Sequence, residues 1–470
     1  MRRSMGNMKS SIYSNVGLST ALAAVLIVVA LVVGVGIGFL VAPQPATQPI
    51  TITKEVTVTT TATQPITITK EVTVTTTVTQ VIQRGAQLPS EIVIGALLPL
   101  TGSLASYGEN SRVAIELAVK EVNEWLSQAG IPTRVKLVVE DTETKPDVAL
   151  LKLQSMSAKG IRIYIGPQTS AEIRNIKGFA DANKLLLISQ SSTAPELAIP
   201  DDFIFRFCPD DTIQSKAIAR VVENEGVKYV VPIWRGDAWG DGLKKASSEA
   251  LKKLGIQVDE GIRYAPEEVE KKGFGAEVDL LAQKVSSAIN QYGADKVGVM
   301  VVAFGEVVDL FVKASDYDAL KQVKWFGSDG TALLNELLKE PLAAEFAVTT
   351  KFINPIFAAT RSDKFKKVVD AVKAELGREP DTYALAAYDE VWVIVEAILM
   401  VGKYDAEAVK SVLPIVAQNT FGATGWIILN AAGDRATADY DFWSVQKTDG
   451  DFSWNRVGVY VAASDSINWF

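Results

Sequence analysis

Residues 91–125 read EIVIGALLPLTGSLASYGENSRVAIELAVKEVNEW. The apolar run at residues 92–98 predicts a buried strand, and the spacing of apolar residues over 110–125 predicts an amphipathic helix. A strand followed at once by a helix is the first half of a β-α-β unit, and such units build parallel sheets covered by helices. The stretch therefore predicts an α/β fold.

The same alternation of strand and helix continues through the rest of the chain. Roughly 380 residues of this kind exceed the usual size of one α/β unit, so we expect two Rossmann-like lobes. Further strands are predicted at residues 135–139, 161–165, 185–189, 229–233, 297–302 and 323–326, and further helices at 148–158, 171–183, 242–254, 364–376 and 382–399.

The composition excludes several kinds of function. The chain has no histidine and one cysteine, Cys208, so Ser-His-Asp and Cys-His catalysis and a cysteine-rich zinc site are excluded. It carries 47 basic and 55 acidic residues with no basic block in the body, which argues against a nucleic-acid partner. We expect a protein that is not an enzyme, with no catalytic residue, metal site or cofactor.

A long apolar segment lies near the N-terminus. Residues 18–41 read LSTALAAVLIVVALVVGVGIGFLV, an uncharged run long enough to cross a bilayer as a helix. Basic residues precede it, so residues 1–16 are predicted to be cytoplasmic and 17–42 to be a transmembrane anchor. A cleaved signal peptide is the alternative, and prolines directly after the run favour the uncut anchor. Either interpretation places the body outside the cytoplasm, at the cell membrane.

An internal repeat follows the apolar segment. Residues 48–63 read QPITITKEVTVTTTAT, and residues 64–79 differ from them at one position. Two such units cannot bury a core, and a threonine-rich tract after an anchor is typical of a stalk. We predict a stalk over residues 43–90. The alternative is a β-hairpin that joins the body or pairs with a neighbouring chain.

Polar and aromatic residues follow several of the predicted strands. In open α/β sheets, ligands bind beyond the carboxyl ends of the strands. The loops there predict six ligand-binding residues: Tyr107, Ser170, Thr193, Trp239, Phe304 and Asp329.

These residue types together would complement a zwitterion. Hydroxyls and backbone N–H groups near Ser170 and Thr193 suit a carboxylate, and Asp329 suits an ammonium group. The aromatic side chains could enclose the rest of the ligand. Each residue also has a purely structural interpretation, because Ser and Thr cap helices, Asp-Gly forms turns, and Trp239 and Phe304 could be core residues.

The loops also carry a family resemblance. The chain resembles the type I periplasmic binding proteins of the leucine/isoleucine/valine-binding class, which serve ABC transporters, over residues 91–470. The motifs appear in the family's order: IVIGALLPLTGSLASYGENSRVAIELAVKEVN at 92–123, LVVEDTETKPDVAL at 137–150, YIGPQTS at 164–170, LISQSSTAPEL at 187–197, WGDGL at 239–243, FGSDG at 326–330 and GDRATADYDFW at 433–443.

The resemblance implies two lobes joined by a hinge of three crossover strands, with the ligand in the cleft between the lobes. We place the crossings near Asp210, Lys351 and Tyr440. Lobe 1 would combine residues 91–210 with 352–440, and lobe 2 would combine 211–351 with 441–470. Closure about such a hinge would give the transporter a ligand-dependent shape to recognise.

The resemblance also implies roles for single residues. In relatives, positions matching Ser170 and Thr193 hold the ligand α-carboxylate, and the ammonium group is held by Thr193, the Ser191 carbonyl and Asp329. Positions matching Tyr107, Trp239 and Phe304 contact the ligand through their rings. This chain has Trp and Phe at positions 239 and 304 where relatives often have Tyr, Ser191 where Ala is common, and Asp329 where some amino-acid binders have Glu.

The function expected from the sequence is the capture of an amino acid, branched-chain or similar, for an ABC permease in the same membrane, by a monomer. A membrane-tethered ligand sensor, and a binder of urea, amides or another small polar solute, are the alternatives.

Overall fold

The computed structural model describes residues 88–470. The predicted anchor at 17–42 and all but the end of the predicted stalk lie outside this range. Within it, no helix is both long and apolar enough to cross a bilayer. The first layer is a parallel sheet of order β2-β1-β3-β4-β5. Its strands are β1 Glu91–Leu98, β2 Arg134–Asp141, β3 Ile163–Ile165, β4 Leu186–Ser189 and β5 Ile204–Arg206.

The second layer is a nine-stranded sheet of order β16-β15-β14-β11-β10-β9-β6-β7, with β8 also paired to β6. It is parallel from β6 to β11 and antiparallel from β11 to β16. Its strands are β6 Tyr229–Arg235, β7 Gln257–Val258, β8 Ile262–Tyr264, β9 Val297–Val302, β10 Lys324–Phe326, β11 Ile353–Phe357, β14 Tyr440–Thr448, β15 Asp451–Val461 and β16 Ser466–Trp469, and a separate pair is β12 Phe421–Gly422 with β13 Gly425–Trp426.

Helices cover both sheets. The first sheet is flanked by α1 to α3 and α12 to α14, and the second mainly by α4 to α11. Their bounds are α1 Ala105–Gln128, α2 Pro146–Ala158, α3 Ser170–Asn183, α4 Asp211–Asn224, α5 Ala238–Lys253, α6 Pro266–Lys272, α7 Gly275–Tyr292, α8 Val307–Ala314, α9 Asp318–Lys321, α10 Asn335–Lys339, α11 Pro341–Thr349, α12 Asp363–Leu376, α13 Thr382–Val401 and α14 Ala406–Gln418.

Strand β1 shows why the first sheet needs helices on both faces. Alternate side chains of a strand point to opposite faces of the sheet. Ile92 and Ile94 join the large core that includes α1, whereas Leu97 joins a smaller core that includes residues of α2 and α3. Because both faces are buried, the strand reads as a continuous apolar run, as parallel strands do.

Each strand and helix predicted from the pattern between residues 91 and 399 is present, with shifted ends. The predicted crossings near Asp210, Lys351 and Tyr440 lie at the starts of α4, β11 and β14. Strand β11 still pairs within the second sheet, and the helices that follow it, α12 to α14, pack on the first layer. The C-terminal strands then return the chain to the second sheet.

Candidate ligand-binding site

The loops at the carboxyl ends of the two sheets enclose a small cavity. Six of the seven residues predicted from the sequence line it, all except Thr193. The cavity measures about 20 Å³, which is close to the space needed by one water molecule. Its lining consists of Leu104, Tyr107, Gln168, Thr169, Ser170, Ser191, Trp239, Phe304, Asp329, Gly330 and Tyr383.

One wall is the loop from β3 to α3, and its backbone is held at each residue. Ser189 Oγ donates to the carbonyl of Pro167 at 2.6 Å, and Ser191 Oγ donates to the carbonyl of Gln168 at 2.8 Å. Thr169 caps α3 through a capping box with Glu172. The cap of this helix is therefore Thr169 and not Ser170, which leaves the Ser170 hydroxyl available for other contacts.

Ser170 bonds to the neighbouring loop after β4. Its Oγ accepts from the backbone N–H of Ala194 at 3.1 Å and lies 3.0 Å from Ser192 Oγ. When Ser192 is the donor of that second bond, Ser170 keeps its own proton for a ligand. The hydroxyl of Thr193 is buried and makes no hydrogen bond of normal geometry among residues 88–470, but it lies near Asp211 and opposes the rise in the pKa of that carboxyl.

Asp329 is the charged group of the site, and it is only 3% exposed. Its Oδ2 accepts a hydrogen bond from the Tyr383 hydroxyl, while Oδ1 has no partner within the described part of the chain. Burial raises the pKa of Asp329 to about 6, and the bond from Tyr383 opposes that rise. At pH 7 the site therefore presents a buried carboxylate with one unpartnered oxygen.

A second buried carboxyl group lies behind Asp329. Gln214 on α4 accepts from the backbone N–H of Asp329 at 3.0 Å and donates to Asp211 Oδ1 at 2.8 Å. Burial, and then the Asp329 charge, raise the pKa of Asp211 well above its usual range. Ionisation of Asp329 therefore disfavours ionisation of Asp211.

An aromatic wall closes the opposite side. The rings of Trp239 and Phe304 are stacked, 4.7 Å apart and 14° from parallel. The guanidinium of Arg235 lies 3.8 Å from the centre of the Phe304 ring and is neutralised by Asp237 and Glu306.

The loop after β10 can pass close beneath this wall because residue 330 is glycine. A Cβ at Gly330 would lie 2.6 Å from the indole of Trp239 and 2.7 Å from the carbonyl oxygen of Ala303. Any other residue there would force the wall or the loop to move.

Contacts also join the two layers across the cavity. The Tyr107 hydroxyl, from α1, donates to the carbonyl of Asp329 at 2.9 Å and also contacts the carbonyl of Ala332. The backbone N–H of Gly305 donates to the carbonyl of Ser103 at 2.9 Å. The Tyr383–Asp329 bond is a third connection. The structure therefore describes the two layers drawn together at the site.

The rule that ligand-binding residues follow strands, together with the family resemblance, selected six of the residues that line the cavity, but did not select several other residues of the site. Tyr383 lies on α13 and Gln214 on α4, so neither directly follows a strand, and Leu104 lies in the loop after β1 but is not polar. Gln168 does follow a strand and could have been selected by the same rule. Among the described residues, no group of three or more His, Cys, Asp or Glu side chains is arranged to hold a metal ion.

A family model described as the receptor family ligand binding region matches residues 110–448, well over half of the chain. The chain belongs to this family. It is 37% identical over 399 residues to an uncharacterized protein of Methanocaldococcus jannaschii, covering 80% of this chain and 91% of that protein.

Two further relatives connect this member of the ligand-binding family to characterised folds. This chain is 25% identical to Leu/Ile/Val-binding protein homolog 3 of Brucella melitensis, and the alignment covers 75% of this chain and 91% of the Brucella protein. A leucine binding protein of Thermotoga maritima superposes with a TM-score of 0.64 at 22% identity, covering 78% of this chain and 98% of that structure. The resemblance to the Leu/Ile/Val-binding class and the type I periplasmic binding protein fold are thereby confirmed.

Proposed function

We propose that this protein is the extracytoplasmic substrate-binding component of an ABC importer and that it captures an amino acid. The observation that carries the proposal is the buried carboxylate of Asp329, whose Oδ1 has no partner among residues 88–470 although it lies in the cavity lining. Leaving such a group unpaired is unfavourable, and a ligand ammonium would pair it.

The opposite charge of the ligand would meet hydroxyl groups. We assign the α-carboxylate to the hydroxyls of Ser170 and Thr193, and the ammonium to Asp329 with the Ser191 carbonyl and Thr193. Tyr107, Trp239 and Phe304 would contact the remainder of the ligand. No step of this proposal needs a covalent bond, a metal ion or a cofactor.

Entry of an amino acid requires the cavity to open. A volume of about 20 Å³ is too small for any amino acid, and the contacts of Tyr107 and Tyr383 with the Asp329 loop hold the two layers together. We propose that residues 91–210 with 358–439 rotate against 211–357 with 440–470. The second crossing is then placed after β11 and not near Lys351, because β11 pairs with β10 and β14 in the second sheet. Closure on the ligand would create the surface that the permease recognises.

The N-terminal segment would keep the protein at the membrane. We propose that residues 17–42 anchor it, with residues 1–16 in the cytoplasm and residues 43–90 as a stalk that lets a monomeric body reach the permease. The uncharged run at residues 18–41 and the threonine-rich repeats support this proposal.

The test is ligand binding by the full chain purified in detergent. A panel of amino acids, urea, amides and aromatic acids should contain zwitterions that raise the melting temperature, because a ligand that binds only the folded state stabilises it. Asp329→Asn keeps the shape of the side chain but removes its charge, and should abolish that rise.

Asp389→Asn is the matched control. Asp389 is also buried, but its oxygens accept from the backbone of Ala423 and Thr424 and from the Thr424 hydroxyl, away from the cavity. This variant should melt at a lower temperature and keep the ligand-induced rise. A melting temperature that responds to no zwitterion, or an unchanged response in Asp329→Asn, would contradict the proposal.

A further inference from the structure

Gln168 is buried in the cavity lining, and its side-chain amide makes no hydrogen bond within residues 88–470. It is 2% exposed, and neither its Nε2 nor its Oε1 has a hydrogen-bond partner among residues 88–470. Buried side-chain amides are nearly always paired, because an unpaired donor or acceptor loses its bonds to water and gains nothing. Gln168 therefore keeps a donor and an acceptor unpaired, within the described range, on a residue that lines the cavity.

The backbone around Gln168 prevents the amide from turning away by a local shift of the loop. The carbonyl groups of Pro167 and Gln168 accept from Ser189 and Ser191, and Thr169 is fixed by the capping box of α3. The loop is thus anchored on both sides of residue 168. A functional group held in this way is already in position for a ligand.

Trp239 supplies a second unpartnered donor in the same lining. Its Nε1 is buried and has no partner in the described part of the chain, although its ring is stacked on Phe304. Buried indole N–H groups usually find an acceptor. The stack fixes the plane of the indole, and with it the direction in which Nε1 donates.

The proposed function already assigns the two charged groups of an amino acid to Ser170, Thr193 and Asp329. Gln168 and Trp239 therefore remain for the side chain of the ligand. An aliphatic side chain would leave two donors and one acceptor unpaired in the closed cleft. A side-chain oxygen of the ligand could accept from the two donors, and a hydroxyl or amide hydrogen could donate to the acceptor.

We propose, on the basis of the proposed function, that the ligand is an amino acid whose short side chain carries a hydroxyl, carboxamide or carboxylate group. Gln168 and Trp239 are then the residues that select it over the branched-chain amino acids. A pocket built to hydrogen-bond a polar group discriminates strongly against a ligand that lacks it.

Pairs of amino acids with matched shapes test this selection. We would titrate the full chain in detergent with threonine and valine, and with asparagine and leucine, by calorimetry. In at least one pair the polar member should bind about tenfold more tightly or better, since unpaired buried groups penalise the aliphatic member. Equal or tighter binding of valine and leucine would overturn the proposal.

Variants assign the effect to the residues. Gln168→Leu should weaken binding of the preferred polar amino acid by about tenfold and reduce the discrimination within the pair. Gln190→Leu is the matched control, because Gln190 is also fully buried with an unpartnered amide within residues 88–470 but does not line the cavity. It should leave the discrimination unchanged.

Trp239→Phe keeps an aromatic ring for the stack and removes the N–H group, together with part of the bicyclic ring. It provides an independent readout if Gln168→Leu does not fold, and it should also reduce the discrimination. Discrimination that is unchanged in both folded variants would overturn the assignment while the proposed function stands. Failure of all four amino acids to bind would overturn this proposal, and the same absence across the whole panel would overturn the proposed function as well.

Discussion

Two groups of buried polar side chains in this molecule differ in how completely they are paired. The junction cluster comprises Arg206, Asp389, Asp434 and Arg435. The Arg206 guanidinium binds both oxygens of Asp434 at 2.6 Å and donates to the carbonyls of Ser192 and Ala194. The cleft cluster comprises Gln168, Thr193, Trp239 and Asp329, and each member has at least one polar atom without a partner among residues 88–470.

The difference separates groups that are paired within the fold from groups that, under the proposed function, pair with a ligand. Both clusters are buried, so an unpaired polar atom in either one carries a desolvation penalty, which is largest for a charged group. Pairing within the junction cluster removes that penalty in the unliganded protein. The cleft cluster keeps it, and because Gln168, Trp239 and Asp329 also line the cavity, we propose that a ligand pairs with these groups.

The two clusters are also connected. Arg206 holds the carbonyl groups on both sides of Thr193, so the paired cluster fixes the position of a residue in the unpaired one. Rigid support of this kind is what a binding site needs if its groups are to stay unpaired without rearranging.

Breaking the junction cluster should have the largest effect on stability. Asp434→Asn leaves the buried Arg206 charge without its carboxylate, and should lower the free energy of unfolding by about 3–5 kcal/mol. Denaturant unfolding followed by tryptophan fluorescence measures this. Asp370→Asn, which breaks the exposed pair with Lys366, is the control and should change stability by about 0.5 kcal/mol or less. Similar effects of the two variants would contradict the distinction.

Removing the charge of Asp329 from the cleft cluster should raise the free energy of unfolding, whereas Asp434→Asn should lower it. The pKa of Asp329 is raised to about 6, so the folded protein holds this proton more tightly than the unfolded chain does. The free energy of unfolding therefore falls as pH rises from about 4 to 6. Above pH 6 the ionised, buried Asp329 carboxylate destabilises the folded protein by its full amount. Unliganded Asp329→Asn should be more stable at pH 8 by about 1–3 kcal/mol. A lower melting temperature of this variant would show that the Asp329 charge stabilises the fold.

Ligand binding should depend on the same proton. The ammonium pairs with ionised Asp329, whose population falls about tenfold between pH 7 and pH 5 when the pKa is near 6. Affinity for a neutral amino acid should fall by about the same factor, because the ligand's own groups do not titrate in this interval. Calorimetric titrations at several pH values measure this change in affinity. An affinity that is constant over this range would show that Asp329 does not pair with the ligand ammonium.

Much of the fold could be predicted because buried parallel strands are continuous apolar runs, as at residues 92–98. Helix α4 was not predicted, since Asp211, Gln214 and Ser215 interrupt its buried face with polar side chains. Helix α7 and the C-terminal antiparallel strands were also missed. The seven site residues follow strands, but Tyr383 contacts Asp329 from 54 positions away, and only the folded chain brings them together.

The claim most in need of a test is that the cleft recognises both charges of an amino acid. Calorimetry on the full chain would compare threonine with 1-amino-2-propanol and 3-hydroxybutyrate, and valine with isobutylamine and 3-methylbutanoate. In each series the first analogue lacks the carboxylate and the second lacks the ammonium group. We predict that at least one parent amino acid binds and that both of its analogues bind about 100-fold more weakly, because each leaves buried polar groups unpaired. An analogue that binds as tightly as its parent would contradict the zwitterion site.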